Sequence, residues 1–304
     1  MTLGFVSAIL RDLPLDDVLR FARDEHFSCV ELMSWPVGKS ERKYSGVTHV
    51  DAVGMTQARA DDVRALAAAS GVAISALGYY PNHLDPNPEV AKAAGVHLRR
   101  VIKAAARLGL ATVNTFVGRD WTRTVDDQWP RFLKTWKPLL AYAEDAGIRI
   151  AIENCPMRFT QDEWPGGKNL ATTPAIWRRM FHDLPSPNLG LNFDPSHFVL
   201  QFMEPNCALR EFAPKLFHVH AKDLEIQRDR LNEHGVFAEP RLWHRARIPG
   251  YGDIDWARFF ATLTEVGYAG PVCIEVEDET FGRTLPGRQR ALRIARQILA
   301  PYFA

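Results

Sequence analysis

"IRIAIEN" (148–154), "TPAIWRRMFHDL" (173–184) and "LGLNFD" (189–194) succeed one another as an apolar run, an amphipathic segment and a second apolar run. That order reads as strand, helix, strand, and it recurs in both directions along the chain. Toward the N-terminus lie "LGFVSAIL" (3–10) before a helical pattern at 15–25, and "SCVELM" (28–33) before 55–70. "VAISALGYY" (72–80) precedes 88–109, and "ATVNTFV" (111–117) precedes 126–146. Toward the C-terminus, "LGLNFD" leads to a weaker helix near 205–213 and "LFHVHAKD" (216–223) to 254–267. "PVCIEVE" (271–277) leads to 287–303. Eight βα units in this order predict a parallel sheet closed as a single-domain (β/α)8 barrel over residues 1–304. An open doubly wound sheet is the alternative, but no G-x-G-x-x-G turn accompanies it.

Connection lengths point the same way. Helix-to-strand links are short: His26-Phe27, Gly71, Gly109-Leu110, Gly147 and "PSPN" (185–188). Strand-to-helix links at 34–54, 154–172, 195–204 and 222–253 are long. Long loops therefore collect at the carboxyl ends of the strands, the face on which barrel enzymes carry their active sites.

The 304 residues are 46% apolar, enough for a sizeable core, with 37 basic against 36 acidic side chains. This balance supplies no global attraction to nucleic acid or to an anionic membrane. Cys29, Cys155, Cys207 and Cys273 are scattered without a C-x-x-C pair and read as reduced thiols. The N-terminus has no basic region or cleavage site, and no apolar run approaches the ~20 residues of a membrane span. A cytoplasmic protein is the expectation.

The ends of the later strands carry the chemistry. Strand five ends at Glu153-Asn154, strand six at Asp194, strand seven at His220 and strand eight at Glu275. Three carboxylates and one imidazole on one rim predict a site for one divalent metal. Hard oxygen ligands favour Mn2+, with Mg2+, Co2+ or Zn2+ as alternatives. Each acid alone could be an N-cap or an ion-pair partner, and Asp194 before Pro195 could cap the next turn. Four together, after runs as apolar as "IRIAI" and "PVCI", need a counter-charge that a cation would supply. In "KLFHVHAKDLE" (215–225), His218 and His220 share a strand face. His220 is the expected ligand; His218, one layer deeper, either supports the ligands from behind or is a hydrogen-bonded core residue, and the second is favoured. His197, three residues after Asp194, should rise toward the metal.

"IEN", "NFDPSH", "HVHAKD", "GYGDIDW" and "CIEVED" stand in the order found in xylose-isomerase-like TIM barrels, which the chain resembles over most of its length. That group includes ketose 3-epimerases, inosose dehydratases, hydroxypyruvate isomerases and abasic-site endonucleases. The resemblance implies Glu153, Asp194, His220 and Glu275 as metal ligands, the two glutamates as the acid–base pair, and His197 beside the substrate. The endonucleases' trinuclear cluster is incomplete here. His83 stands at a matching place and His244 is a possible match, but "NTFVGRD" lacks a histidine. Asp223, Glu277 and Asp278 are spare acids at the rim without a clear second-metal set, so proton rather than hydride transfer is expected.

The resulting expectation is a metal-dependent isomerase or epimerase acting on a keto-sugar or polyol through a metal-stabilised enediolate. The alternative is a lyase or dehydratase on a 3-keto-sugar or inosose. A nuclease or a non-catalytic sugar-binding subunit ranks below both. Candidate substrate contacts are His197, Lys222, His83, Trp121, Arg247 and His244, with further loop aromatics at Trp35, Tyr79, Tyr80, Trp164, Trp243 and Tyr251. The expected partner is a small sugar, with no nucleic acid, no membrane and a possible homo-oligomer.

Overall fold

The computed structural model describes residues 1–38, 46–156 and 167–303. Trp164 lies outside these residues. The strands are β1 (Thr2–Val6), β2 (Cys29–Met33), β3 (Ala73–Gly78), β4 (Thr112–Thr115), β5 (Arg149–Glu153), β6 (Leu189–Phe193), β7 (Leu216–Ala221), β8 (Asp223–Ile226), β9 (His244–Arg247) and β10 (Pro271–Ile274). All but β8 and β9 pair in parallel and close a barrel in the order β1-β10-β7-β6-β5-β4-β3-β2.

Local chemistry explains the alternation. Helices Gln57–Ser70, Pro88–Arg107, Val125–Asp145 and Pro174–Asp183 each start behind a Thr or Asn whose side chain accepts a backbone N–H. These caps satisfy donors that the first helical turn leaves free. Gly71 ends the first of those helices at φ 69°, a left-handed conformation that costs glycine little. The chain then enters β3 within two residues. Between the helices and the sheet lie Phe132, Trp136, Trp177, Phe193 and Phe259, all fully buried. Burying one such side chain stabilises the fold by about 1.5–3 kcal/mol or more.

Three of the differences from the sequence reading shape the rim. The run 3–10 is a strand only to Val6, followed by a 3-10 turn at Ser7–Leu10. There the Ser7 hydroxyl accepts the Met33 N–H at 2.9 Å, which takes the chain out of the sheet. Strand eight stops at Ile274, so Glu275 begins the loop. The seventh barrel strand stops at Ala221, and β8 pairs antiparallel with β9 to form a hairpin over the rim. Leu224 and Ile226 of that hairpin pack with Leu200 and Trp243. No helix among the described residues is long and apolar enough to cross a membrane.

Candidate functional site

Glu153 is the last residue of β5, and Asp194 follows β6 directly. Asn154 fastens the two strand ends together. Its amide donates to the Asp194 carbonyl at 2.9 Å, and its side-chain oxygen accepts the Asp194 N–H at 2.9 Å. Asn169 reaches in from the loop and donates to the carbonyls of Glu153 (2.9 Å) and Cys155 (2.8 Å). Its oxygen accepts from Val117 and Gly118 beyond β4. Two buried asparagines thus fix the backbone that carries the acids.

One donor atom each from Glu153, Asp194, His220 and Glu275 lies within 4.8 Å of the other three. Asp194 divides its two oxygens. Oδ1 accepts the Ser196 N–H at 2.8 Å, so the capping role is real, but buried Oδ2 makes no hydrogen bond and faces His197 Nε2 at 3.2 Å. His220 is divided in the same manner. Nε2 lies 2.7 Å from Glu31 Oε2, while buried Nδ1 is unpartnered and faces Glu153 Oε1 (3.8 Å) and Glu275 Oε2 (3.7 Å). Orphaned buried polar atoms are costly, and here they converge with two carboxylates. A hard divalent cation would satisfy both of them, so the donor set fits the expected metal.

Glu31 was not singled out in the sequence. It lies inside β2, fully buried, and its other oxygen accepts the Tyr80 hydroxyl. Gly78 makes room for it, since a Cβ there would collide with Glu31 Oε1. A carboxylate on the far nitrogen of a ligating histidine fixes its tautomer and ring plane. Its signal in the sequence is an acid inside the apolar run "SCVELM", within a strand and not at its end. His218 is a satisfied core residue: Nδ1 is 3.0 Å from Asn192 Oδ1, and Nε2 is 3.2 Å from Ser75 Oγ. Burial lowers its pKa to about 4 and keeps it neutral.

The carboxyls are not equivalent. Burial pushes Glu153 upward, but the neighbouring His197 and His220 imidazoles, 3.4 and 3.8 Å from its Oε1, outweigh it and hold the carboxyl well below the ordinary range. Glu275 is raised to about 7, first by burial and then by the Glu153 charge, with Lys222 as a partial offset. Burial would lower His220, yet Glu31 and Glu153 hold it well above an ordinary imidazole. Lys222 Nζ sits 3.3 Å from Glu275 Oε2 and 2.6 Å from Glu277 Oε2. Burial disfavours its charge, but those two glutamates raise its pKa well above the usual value.

The remaining candidates are dispersed. His197 joins the cluster, with Nε2 3.2 Å from Asp194 Oδ2 and 3.4 Å from Glu153 Oε1. His83 meets Thr115 Oγ1 at 3.2 Å and lines a cleft between helices Pro88–Arg107 and Val125–Asp145. Arg247 is held by Glu225 (3.1 Å) and Asp278 (3.4 Å). His244 lies on β9 beside Trp243, and Lys168 stacks over Trp121 at 4.2 Å. Among the spare acids, Asp223 and Asp278 accept loop N–H groups and Glu277 pairs with Lys222.

The family model described as xylose isomerase-like TIM barrel matches residues 19–300. The chain is 28% identical over 317 residues to the protein YfiH of Bacillus subtilis (strain 168), covering 92% of this chain and 94% of YfiH. Inosose dehydratase of Lacticaseibacillus casei is 26% identical over 156 residues, 51% of this chain and 49% of that protein. That match spans about half the relative's length. In fold, D-psicose 3-epimerase from Clostridium cellulolyticum H10 superposes with a TM-score of 0.70 at 16% identity, over 99% of both chains.

Proposed function

The chain belongs to the xylose isomerase-like TIM barrel family, and from that premise we propose a divalent-metal-dependent enzyme that moves a proton beside the carbonyl of a keto-sugar or related polyol. The observation that carries this reading is the convergence of Glu153, Asp194, His220 and Glu275, with Asp194 Oδ2 and His220 Nδ1 buried and unpartnered. These four residues would hold the ion, and their oxygen-rich set suits Mn2+ or Mg2+ better than Zn2+. When bound, such a cation polarises the substrate carbonyl and acidifies the neighbouring C–H.

The chain's own groups supply the proton traffic. Without the cation Glu153 stays ionised and Glu275 is raised to about 7, so Glu153 is the candidate acceptor and Glu275 the candidate donor, and a bound cation would lower the basicity of both. Two carboxyls driven apart by their surroundings make an acid–base pair. Lys222 remains charged and serves to orient a substrate oxygen beside Glu275, not to act as a base. His197 is the contact for a hydroxyl or carbonyl on the Glu153 side. Returning the proton to carbon gives isomerisation or epimerisation, which the likeness in fold to D-psicose 3-epimerase supports.

The lyase reading stands on equal sequence support, through the likeness to inosose dehydratase. Lys222 favours it specifically, because a buried cation between two acids suits a departing hydroxyl. Proton NMR of ketohexoses and inososes with Mn2+-loaded protein in D2O separates the two. Deuterium at the α-carbon with an epimer supports the first, and an unsaturated or rearranged product the second. Product without solvent deuterium would overturn proton transfer, once a shielded proton relay had been excluded.

A further inference from the structure

Beside the four-donor cluster is a second set that shares only Glu153. A Glu153 carboxylate oxygen, the Cys155 sulfur and a His197 ring nitrogen lie within 4.8 Å of one another. His197 is 5% exposed, and neither of its ring nitrogens makes a hydrogen bond, though Nε2 faces Asp194 Oδ2 of the first cluster at 3.2 Å. Its Nε2 is 3.4 Å from Glu153 Oε1. The Asn169 amide holds the carbonyls of both Glu153 and Cys155, so the residues supplying oxygen and sulfur sit on a fixed backbone. The chemistry differs from that of the first cluster. One thiol, one imidazole and one carboxylate form a softer, zinc-type donor set.

We infer that Glu153, Cys155 and His197 form a second cation site, selective for a soft divalent ion such as zinc, with Glu153 shared between the two sites. The inference rests on the proposed metal reading of the first cluster, because the carboxylate is common to both. Zinc bonds of about 2.0–2.3 Å require the three donors to close by roughly an ångström. On binding, the Cys155 thiol gives its proton to solvent and the sulfur becomes a thiolate ligand. The His197 imidazole likewise binds in its deprotonated form. A soft ion seated there engages Glu153 and His197 at once, so neither is free for proton transfer. The site would therefore arrest the enzyme in excess zinc while leaving it open to Mn2+.

Cobalt reports thiolate ligation directly. The apo full-length chain titrated with Co2+ should bind two equivalents and develop a thiolate-to-cobalt charge-transfer band in the near ultraviolet. Cys155→Ser should bind one equivalent without the band, whereas Asp194→Asn should keep the band. In the unaltered chain, zinc should slow iodoacetamide alkylation of Cys155 about tenfold or more, mapped by peptide mass, and leave exposed Cys207 unaffected. This second measurement does not depend on any variant folding. One cobalt without a thiolate band, or a band that survives Cys155→Ser, would overturn the second site and leave the first standing. Absence of any cobalt binding would overturn both.

Discussion

Asp194 and Asp223 are both buried acids at the top of neighbouring barrel strands, yet the surroundings assign them opposite work. Asp223 accepts four hydrogen bonds: from the N–H groups of Leu224 (2.9 Å), Ile254 (3.2 Å) and Gly250 (2.8 Å), and from the Trp256 indole (2.8 Å). It ties the hairpin of β8 and β9 to the following helix, and its carboxylate has no oxygen to spare. Asp194 accepts one backbone N–H and leaves Oδ2 without a hydrogen bond, 3.2 Å from the His197 imidazole and aimed at three other ligand-type groups. A strand-end acid is therefore structural when backbone donors surround it and a ligand candidate when they do not. The geometry that aims the side chain makes the difference, not the residue type.

The comparison fails most visibly if the free acids carry no chemistry. Glu153→Gln or Glu275→Gln should lower turnover on the enzyme's substrate by about 10²–10⁴-fold, with substrate affinity changed far less. Retention of turnover in both, measured on protein with confirmed metal content, would break the acid–base assignment. Next in size is a stability contrast. Asp223→Ala strands several buried donors and should cost about 3–5 kcal/mol, read as a lower denaturation midpoint. Asp194→Ala in the apo protein should cost less, about 1–2 kcal/mol, since one backbone hydrogen bond and the contact with His197 are lost and no cluster of backbone donors is stranded. Equal losses in the two variants would erase the distinction drawn between them.

A smaller effect tests Glu31. Glu31→Gln weakens the hydrogen bond that orients His220 and should reduce metal affinity about 10–100-fold, without lowering the stoichiometry at saturating metal. An unchanged affinity, by calorimetric titration, would return Glu31 to the role of a buried structural acid. The smallest is a pH slope. Glu275 titrates near 7, raised from its ordinary value, so below that pH a proton competes with the cation for its carboxyl. His220 is also raised and must release a proton from Nδ1 on ligation. Affinity should thus climb with pH, about tenfold per unit from His220, and more steeply below pH 7, where Glu275 adds its proton. A flat profile between pH 5 and 8 would remove both groups from the ligand set.

Much of this was legible before any coordinates. The eight-fold alternation and the short Gly-punctuated returns gave the barrel, because periodicity and turn chemistry are local properties. Glu153, Asp194, His220 and Glu275 were legible because each ends or follows an apolar run, and a parallel barrel brings all strand ends to one rim. Of the two roles open to His218, its contacts with Asn192 and Ser75 make it a hydrogen-bonded core residue, and Asn192 links it to His220.

What the sequence by itself determined was therefore the class of fold, the rim on which the acids gather and the four side chains that converge there. The tertiary structure alone decided what each polar atom does once it arrives. It set Glu31 of β2 against His220 of β7, residues 189 positions apart. It saturated Asp223 with donors contributed by the hairpin and the next helix, while Asn154 and Ser196 oriented Asp194 with one oxygen open. It also brought Cys155 to within reach of His197. Pattern and spacing fix the strand on which a side chain lies. Whether its hydrogen-bonding capacity is filled depends on neighbours far away in the chain, and that is settled only when the barrel closes.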